Sequence, residues 1–246
     1  MKPTIKPNYI TIVILFTVIL FSPLTVLSET KLKFSGIQGS LNSDISFQVL
    51  KEAYALLNIQ IEYVPLPGER ALRMSNAGTV DGEVFRIANV HKKYTNLLMV
   101  PTTINTLQGI VFSKNKKFDI SGWDSLSPYK IGIQTGIKFV ERGTEGMKRI
   151  SVDSNDQLFQ MLKHGRIDIA VAAYANGLKT LNKLKFKSIQ SLKPAVQEYP
   201  LYHYLHKKHK GLVTKINSAL EKMNLSGRIS QIRMEYIEKV EREIKN

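Results

Sequence analysis

Cysteine is absent from the 246-residue sequence, and tryptophan occurs only once. Without a thiol, the chain has neither a disulfide framework nor the attachment point that a bacterial lipoprotein needs for its lipid. The sequence also lacks a Gly-Lys-Ser/Thr phosphate loop, a Gly-x-Ser-x-Gly nucleophile elbow and a His-Glu-x-x-His zinc motif. We therefore expect no catalytic residue, no metal site and no cofactor.

Long apolar runs are missing after the first 28 residues. That leading segment contains Lys2 and Lys6, an apolar run over residues 9–21 and a candidate cleavage region at residues 26–28. The apolar run is shorter than the roughly 20 residues that cross a bilayer, so the pattern predicts a cleavable signal peptide over residues 1–28. An uncleaved membrane anchor is the alternative. We expect a periplasmic protein that is not a lipoprotein.

Acidic residues are scarce, since 20 Asp and Glu stand against 35 Lys and Arg, for a net charge of +15. The cationic residues are dispersed, with clusters only at residues 114–117 and 207–210, and no nucleic-acid-binding motif accompanies them. We expect no nucleic-acid partner. The surplus of positive charge favours an anionic ligand or an envelope polymer.

A short motif occurs twice. Gly78-Thr79-Val80-Asp81 is matched 87 residues later by Gly165-Arg166-Ile167-Asp168. Each copy follows an amphipathic helical pattern and precedes an apolar run, which predicts two similar α/β halves. Because Asp81 and Asp168 occupy the same place in both copies, we interpret them as structural residues.

The order strand, helix, strand, helix, strand is predicted twice, and it is typical of a mostly parallel sheet flanked by helices. We expect lobe 1 over residues 29–112, lobe 2 over residues 113–194, and a return to lobe 1 over residues 195–246 with two C-terminal helices. Two crossover segments between the lobes would form a hinge. Proline and polar residues predict two short strands within residues 97–111, and separate strands at residues 188–192 and 196–205.

The two repeated motifs, together with residues 130–136 (KIGIQTG), resemble bacterial solute-binding proteins of family 3. The resemblance extends over essentially all of the mature chain. It implies the two-lobed type II periplasmic-binding fold, with a ligand held between the lobes and read by an ABC transporter permease or a membrane sensor. We expect a monomer.

The chain departs from the amino-acid-binding branch of that family at two places. That branch has an arginine for the α-carboxylate where this chain has Leu107-Gln108-Gly109, and an acidic residue for the α-ammonium where it has Ala172-Ala173-Tyr174. We therefore expect a small polar solute, anionic or zwitterionic, that is held by other residues.

Loops at the carboxyl ends of the strands supply the candidate ligand contacts. Arg70 lies in the first turn of a helix and Arg86 directly after a strand, and the guanidinium of each suits a carboxylate or phosphate. Ion pairs with Glu69 or Glu83, or a salt bridge between the lobes, are the alternatives. The full predicted set is Gln38, Arg70, Phe85, Arg86, Thr102, Gln134, Thr135, Gly136 and Tyr174.

Two other functions stay open. A dehydratase-like enzyme on the same scaffold would need a general acid or base, for which Glu83, Glu69 and His91 are the candidates. A protein that binds the cell envelope through its cationic surface is the other alternative, and its binding would be sensitive to salt.

Overall fold

Two β-α-β-α-β segments fold in the same way and share one mixed sheet. The computed structural model describes Met1 and residues 31–245, without the side chain of Lys245. The strands are β1 Leu32–Ile37, β2 Ile61–Leu66, β3 Gly82–Ile87, β4 Leu97–Ser113, β5 Ile131–Gln134, β6 Arg149–Val152, β7 Ile169–Ala173 and β8 Gln190–His206. The helices are α1 Leu41–Ala55, α2 Gly68–Asn76, α3 Lys138–Gly143, α4 Asn155–Lys163, α5 Tyr174–Leu184, α6 Val213–Leu225 and α7 Arg228–Lys245.

All of these elements belong to one compact unit, which begins at Lys31. The predicted signal peptide lies outside the described residues. Within residues 31–245, no helix combines the length and the apolar character that a membrane crossing requires.

The sheet has the strand order β2-β1-β3-β8-β4-β7-β5-β6. β1 lies parallel to β2 and β3, and β5 lies parallel to β6 and β7. Between these parallel groups, β8 pairs antiparallel with β3 and β4, and β4 pairs antiparallel with β7. The two long strands thus run from one half into the other, and the predicted two-lobed α/β fold with two crossovers is confirmed. We refer to the half with β1–β3 as lobe 1 and the half with β5–β7 as lobe 2; the residue boundaries of the lobes stay a prediction.

The prediction of several short strands in the crossovers was wrong. Residues 97–113 form the single strand β4, and residues 190–206 form the single strand β8. Their pairing shifts register between Met99 and Thr103, next to Pro101, and again between Gly109 and Val111. These irregularities absorb the missing hydrogen-bond donor of a proline without ending the strand.

The repeated aspartates have the same bonds in both lobes. Asp81 Oδ2 accepts a hydrogen bond from the Lys33 amide at 2.8 Å, and the Asp81 amide donates to the Lys33 carbonyl at 2.7 Å. Asp168 and Lys130 exchange the same two bonds, each at 2.9 Å. Each aspartate thus fastens the turn before one strand to the start of the neighbouring strand, which confirms the structural interpretation.

Separate apolar cores fill the two lobes. Phe34, Leu50 and Leu201 belong to the core of lobe 1, together with α6 and the first half of α7. Phe112 and Phe159 belong to a core of lobe 2, against which the second half of α7 packs. The last helix therefore contacts both lobes.

Candidate functional site

A groove of about 260 Å³ lies between the lobes, at the carboxyl ends of β1, β3, β5 and β7. This is the edge where open α/β sheets bind their ligands. We name it the interlobe groove. Its apolar lining consists of Ile37, Phe85, Ile87, Leu107, Ile137, Phe139, Ala173, Tyr199 and Leu201. Its polar and charged lining consists of Ser40, Asn42, Arg86, Gly136, Lys138, Arg142 and Asn176.

Three of these lining residues carry a positive charge, namely Arg86 from lobe 1 and Lys138 and Arg142 from lobe 2. None of the described residues that line the groove is acidic. The groove thus combines an apolar wall with cations on two sides. Such a lining suits a small molecule that has an acidic group and an apolar body.

Arg86 is held at the groove wall by lobe 1. Its Nε donates to Glu83 Oε2 at 3.0 Å, and its Nη2 lies 3.0 Å from the same oxygen and 2.9 Å from the Gly68 carbonyl. The Arg86 side chain is 11% exposed and that of Glu83 is fully buried. The guanidinium therefore has one side fixed to the protein interior.

Glu83 is the centre of a buried polar cluster behind Arg86. Its Oε1 accepts a hydrogen bond from Ser35 Oγ at 3.0 Å, and Ser35 Oγ lies 2.7 Å from Ser75 Oγ. Burial raises the pKa of Glu83 to about 7, although the charge of Arg86 and the hydrogen bonds from Arg86 and the two serines oppose that shift.

His203 extends this cluster toward α1. Its Nδ1 lies 2.7 Å from the Glu83 carbonyl oxygen and its Nε2 lies 2.9 Å from the Tyr54 hydroxyl. Burial lowers the pKa of His203 to about 4, so the ring is neutral near pH 7. We assign the proton to Nδ1, because the Glu83 carbonyl can only accept, and Nε2 then accepts from Tyr54.

The lobe 2 wall of the groove begins at Gly136, whose positive φ of 83° favours glycine. The Gly136 amide donates to Glu141 Oε1 at 2.6 Å, and Lys138 Nζ lies 2.7 Å from Glu141 Oε2. The amide of this predicted site residue is thus bonded to a carboxylate of its own segment. Arg142 donates from Nε to the Lys138 carbonyl at 3.3 Å and makes no ion pair with a described residue.

Phe85, Arg86 and Gly136 are the predicted site residues that the structure brings together in the groove. Gln134 and Thr135 precede Gly136 but bond to the neighbouring strand segment. Gln134 Nε2 donates to the Asp153 carbonyl at 3.3 Å, and the Thr135 amide donates to the Val152 carbonyl at 2.8 Å.

Besides Gln134 and Thr135, four more predicted residues lie outside the groove lining. The Gln38 side chain is exposed. Arg70 is exposed on α2, while the two carboxylates weighed as its partners bond elsewhere, one to Lys93 and Tyr94 and the other to Arg86. The Thr102 amide and hydroxyl both donate to Asn217 Oδ1 at 2.9 Å, and the Tyr174 hydroxyl donates to Glu241 on α7.

Sequence reasoning missed several lining residues, among them Asn42, Lys138, Arg142, Asn176 and Tyr199. Lys138 and Arg142 are four positions apart at the start and end of α3, so their spacing could have placed them on one face. Asn176 Oδ1 accepts from Ser40 Oγ at 3.4 Å, a contact between α5 and the residue before α1 that no local pattern indicates.

Comparison with known proteins gives a consistent result. The family model described as bacterial extracellular solute-binding proteins, family 3, matches residues 21–239. An uncharacterized protein of Shewanella oneidensis is 29% identical over 187 residues, which cover 73% of this chain and 70% of that protein.

Solved structures share the fold at low sequence identity. A histidine kinase sensor domain with similarity to periplasmic binding proteins is 12% identical, with a TM-score of 0.66 over 85% of this chain and 96% of that one. An ancestral arginine-binding protein bound to glutamine is 22% identical, with a TM-score of 0.62 over 84% and 97% of the two chains. An amino acid ABC transporter substrate-binding protein from Streptococcus pneumoniae, bound to L-arginine, is 14% identical, with a TM-score of 0.64 over 85% and 95%.

Proposed function

The chain belongs to family 3 of the bacterial extracellular solute-binding proteins, and from that premise we propose that it binds a small anionic solute with an apolar body in the interlobe groove. The observation that carries this proposal is the lining, in which three cations and an apolar wall occur without an acidic residue among the described positions. The groove volume of about 260 Å³ corresponds to a small ligand.

The same lining argues against an ordinary α-amino acid. A zwitterion needs an acceptor for its ammonium group as well as a donor for its carboxylate, and like charges placed together disfavour each other. Arg86 and Arg142 provide donors. The carboxylates that bond to lining residues, Glu83 and Glu141, are already engaged by Arg86, Lys138 and Gly136. Of the two ligand types expected from the sequence, the anion is therefore favoured over the zwitterion.

The cations on both walls give a physical reason for closure. A solute that touches Arg86 on lobe 1 and Arg142 on lobe 2 binds a closed arrangement more tightly than an open one, and this difference shifts the equilibrium. β4 and β8 are the segments that connect the lobes and so form the hinge. We propose a periplasmic monomer whose closed form is read by an ABC importer or a membrane sensor. An ABC transporter substrate-binding protein and a histidine kinase sensor domain both occur among the structural neighbours.

The enzyme alternative gains no support from its candidate residues. Glu83 lies behind the groove wall, with no exposed surface. Glu69 bonds to Lys93 and Tyr94 on the surface of lobe 1, and His91 is exposed outside the groove lining. Binding to an envelope polymer through the cationic surface stays a prediction.

Isothermal titration calorimetry with three probes of similar shape tests the proposal. Phenylacetate, L-phenylalanine and phenethylamine present an anion, a zwitterion and a cation on the same ring. We expect phenylacetate to bind, L-phenylalanine to bind at least about ten-fold more weakly, and phenethylamine not to bind. Preferred binding of L-phenylalanine or phenethylamine would contradict the proposed ligand class.

A matched pair of arginine variants tests the location. Arg142→Gln removes an exposed cation from the groove, and we expect about a ten-fold loss of phenylacetate affinity. Arg70→Gln removes an exposed cation outside the groove lining and should leave the affinity within roughly two-fold. The reverse order would restore Arg70 to the binding site and remove the interlobe groove from the proposal.

A further inference from the structure

The pair formed by Glu83 and Arg86 is not required by the fold, because lobe 2 has no counterpart of Glu83. Ser35 pairs with Glu83 across β1 and β3, and Gly132 pairs with Ala170 at the same register position across β5 and β7. Glu83 and Ala170 each lie two residues after the repeated aspartate. A buried carboxylate carries a desolvation cost, so its presence in one lobe alone indicates a role beyond holding the strands together.

The geometry shows what the carboxylate does. Glu83 Oε2 accepts from Arg86 Nε and lies 3.0 Å from Arg86 Nη2, and the Gly68 carbonyl fixes Nη2 from the other side. Arg86 Nη1 makes no hydrogen bond to any residue within the described part of the chain. Because Arg86 also lines the interlobe groove, this remaining nitrogen is the donor that a bound anion would meet.

We propose that Glu83 is a positioning residue for anion binding: it orients the Arg86 guanidinium at the groove wall, and its own protonation sets how much net positive charge the pair offers to a solute. This inference rests on the proposed function, since it assumes that the solute is anionic and binds in the interlobe groove. It predicts tighter anion binding at a pH where Glu83 is neutral. By linkage, a bound anion should in turn raise the pKa of Glu83.

The neighbouring groups allow Glu83 to gain and lose a proton without breaking the arrangement. A protonated Glu83 keeps one carbonyl oxygen to accept from Arg86, while its acid proton can be donated to Ser35 Oγ. Ser35 Oγ in turn lies 3.2 Å from the Ala71 carbonyl and 3.4 Å from the Gly82 carbonyl, both of which can accept its proton.

The shifted side chains that pack around Glu83 have pKa values moved away from pH 7, so a titration near pH 7 in this cluster is assigned to Glu83. From β8, the neutral His203 bonds to the backbone carbonyl of Glu83, and burial lowers the pKa of His203 to about 4. From α1, burial raises the pKa of Tyr54, and from β2, burial likewise raises that of Tyr63. From β3 itself, the guanidinium of Arg86 lies beside the Glu83 carboxylate.

Heteronuclear NMR of the ligand-free protein tests the positioning directly. We expect the side-chain N–H resonance of Arg86 Nε to shift as the pH is raised from about 5.5 to about 8.5, because Glu83 ionises beside it. In Glu83→Gln, which keeps the shape of the side chain and removes its charge, that shift should disappear while the remaining spectrum stays that of the folded protein. An Arg86 resonance that behaves identically in both proteins would overturn the inference.

Calorimetry with phenylacetate gives the functional readout. For the wild type we expect about ten-fold tighter binding at about pH 5.5 than at about pH 8.5, which corresponds to one pKa unit of coupling. Glu83→Gln should bind at both pH values with the higher affinity, and Glu83→Asp should bind more weakly while retaining the pH dependence, since its shorter side chain draws the guanidinium away from the groove. Arg142→Gln is the control, and it should lower the affinity at both pH values and leave their ratio unchanged.

The outcomes separate the two proposals. If Arg86→Gln and Arg142→Gln both bind phenylacetate as the wild type does, or if phenylacetate does not bind at all, the proposed anion site fails, and the NMR experiment alone decides the role of Glu83. If Arg86→Gln loses binding but Glu83→Gln retains the wild-type affinity and pH ratio, the site stands and the role of Glu83 is refuted.

Discussion

The interiors of the two lobes differ although their frameworks agree. Lobe 1 buries Glu83 and His203 without exposed surface and bonds them to each other through a backbone carbonyl. At the equivalent place lobe 2 buries Ala170, and apolar side chains close the space above Gly132, where a Cβ would lie 2.3 Å from Ile167 Cδ1 and 2.6 Å from Leu158 Cδ1. Lobe 2 is thus nearly apolar at this place, whereas lobe 1 contains buried titratable groups that are connected to the groove through Arg86.

This difference separates what the fold needs from what the site needs. Asp81 and Asp168 recur with the same bonds, so their role follows from the architecture alone. Glu83 has no counterpart in lobe 2, and its bond to Arg86 leads directly to the groove lining. In a protein with an internal repeat, a polar residue that only one copy contains is therefore a stronger functional signal than one that both copies share.

The largest expected effect comes from introducing into lobe 2 a buried carboxylate like that of Glu83 in lobe 1. Ala170→Glu would bury a carboxylate within an apolar cluster of lobe 2. We expect the free energy of unfolding to fall by about 3–5 kcal/mol near pH 8, as for other unpaired buried charges. Urea denaturation measures this loss. Ala170→Gln separates charge from size, and equal stability of the Glu variant and the wild type near pH 8 would show that lobe 2 tolerates the charge as lobe 1 does.

The next prediction concerns pH and the two buried groups of lobe 1. Burial raises the pKa of Glu83 from 4.5 to about 7, so its contribution to stability is present below pH 4.5 and is lost as the pH rises through 7. Burial lowers the pKa of His203 from 6.5 to about 4, so its contribution is present above pH 6.5 and is lost as the pH falls through 4. Between about pH 4.5 and 6.5, the contributions of Glu83 and His203 to the free energy of unfolding change with pH in opposite directions. They nearly cancel in the wild type.

Replacing one of the two residues should reveal the pH dependence of stability that the other one contributes. In Glu83→Gln the free energy of unfolding should fall by about 3 kcal/mol as the pH is lowered from 6.5 to 4, because only His203 still titrates. In His203→Gln it should fall by a similar amount as the pH is raised from 4.5 to 7, because only Glu83 still titrates. Denaturant melts at a series of pH values provide the measurement. If the free energy of unfolding changed with pH in the same direction in both variants, the opposite contributions of Glu83 and His203 would be refuted.

The shared aspartates provide a smaller test of the framework. Asp81→Asn should cost about 2 kcal/mol, since Asp81 also bonds to Lys208 at 2.8 Å and His209 at 2.6 Å. Asp168→Asn should cost about 1 kcal/mol, because its carboxylate bonds only to the Lys130 amide among the described residues. Thermal unfolding of the two variants compares them. A larger loss for Asp168→Asn would mean that the lobes depend on this bond to different degrees.

Much of the framework could be predicted from the sequence because local patterns determine it. The repeated Gly-x-Val/Ile-Asp motif correctly indicated two similar halves, and each half has the predicted order strand, helix, strand, helix, strand. The continuity of β4 and β8 could not be predicted, because a register shift depends on the partner strand and leaves no periodic signal in either sequence.

The site was harder to predict than the fold. Arg86 was recognised because the sequence predicts it directly after a strand, at the ligand-binding edge of the sheet. That position was slightly wrong, since Arg86 lies inside β3, one residue before its end. Arg70 met a similar criterion, but a position in the first turn of α2 does not determine which way around the helix axis the side chain points, and it is exposed outside the lining. The pairing of Glu141 with Gly136 likewise depends on a side-chain orientation that local sequence does not specify.

The smallest expected effect concerns the helices α2 and α4, which occupy equivalent places in the lobes. α4 begins with a side-chain cap, in which Ser154 Oγ accepts from the Gln157 amide at 3.2 Å, and Gln157 Oε1 accepts from the amide of the preceding residue, Asp153, at 3.1 Å. α2 follows Pro67 and has no side-chain cap.

Lobe 2 should therefore depend on a hydroxyl at this position, whereas the start of lobe 1's helix depends on the fixed backbone angle of proline. We expect Ser154→Ala to lower the free energy of unfolding by about 1 kcal/mol. Ser218→Ala removes the same hydroxyl from an exposed position within α6 and should change stability by less than about 0.5 kcal/mol. If urea denaturation gave equal values for the two variants, the capping bond would contribute nothing, and the helices of both lobes would start from backbone geometry alone.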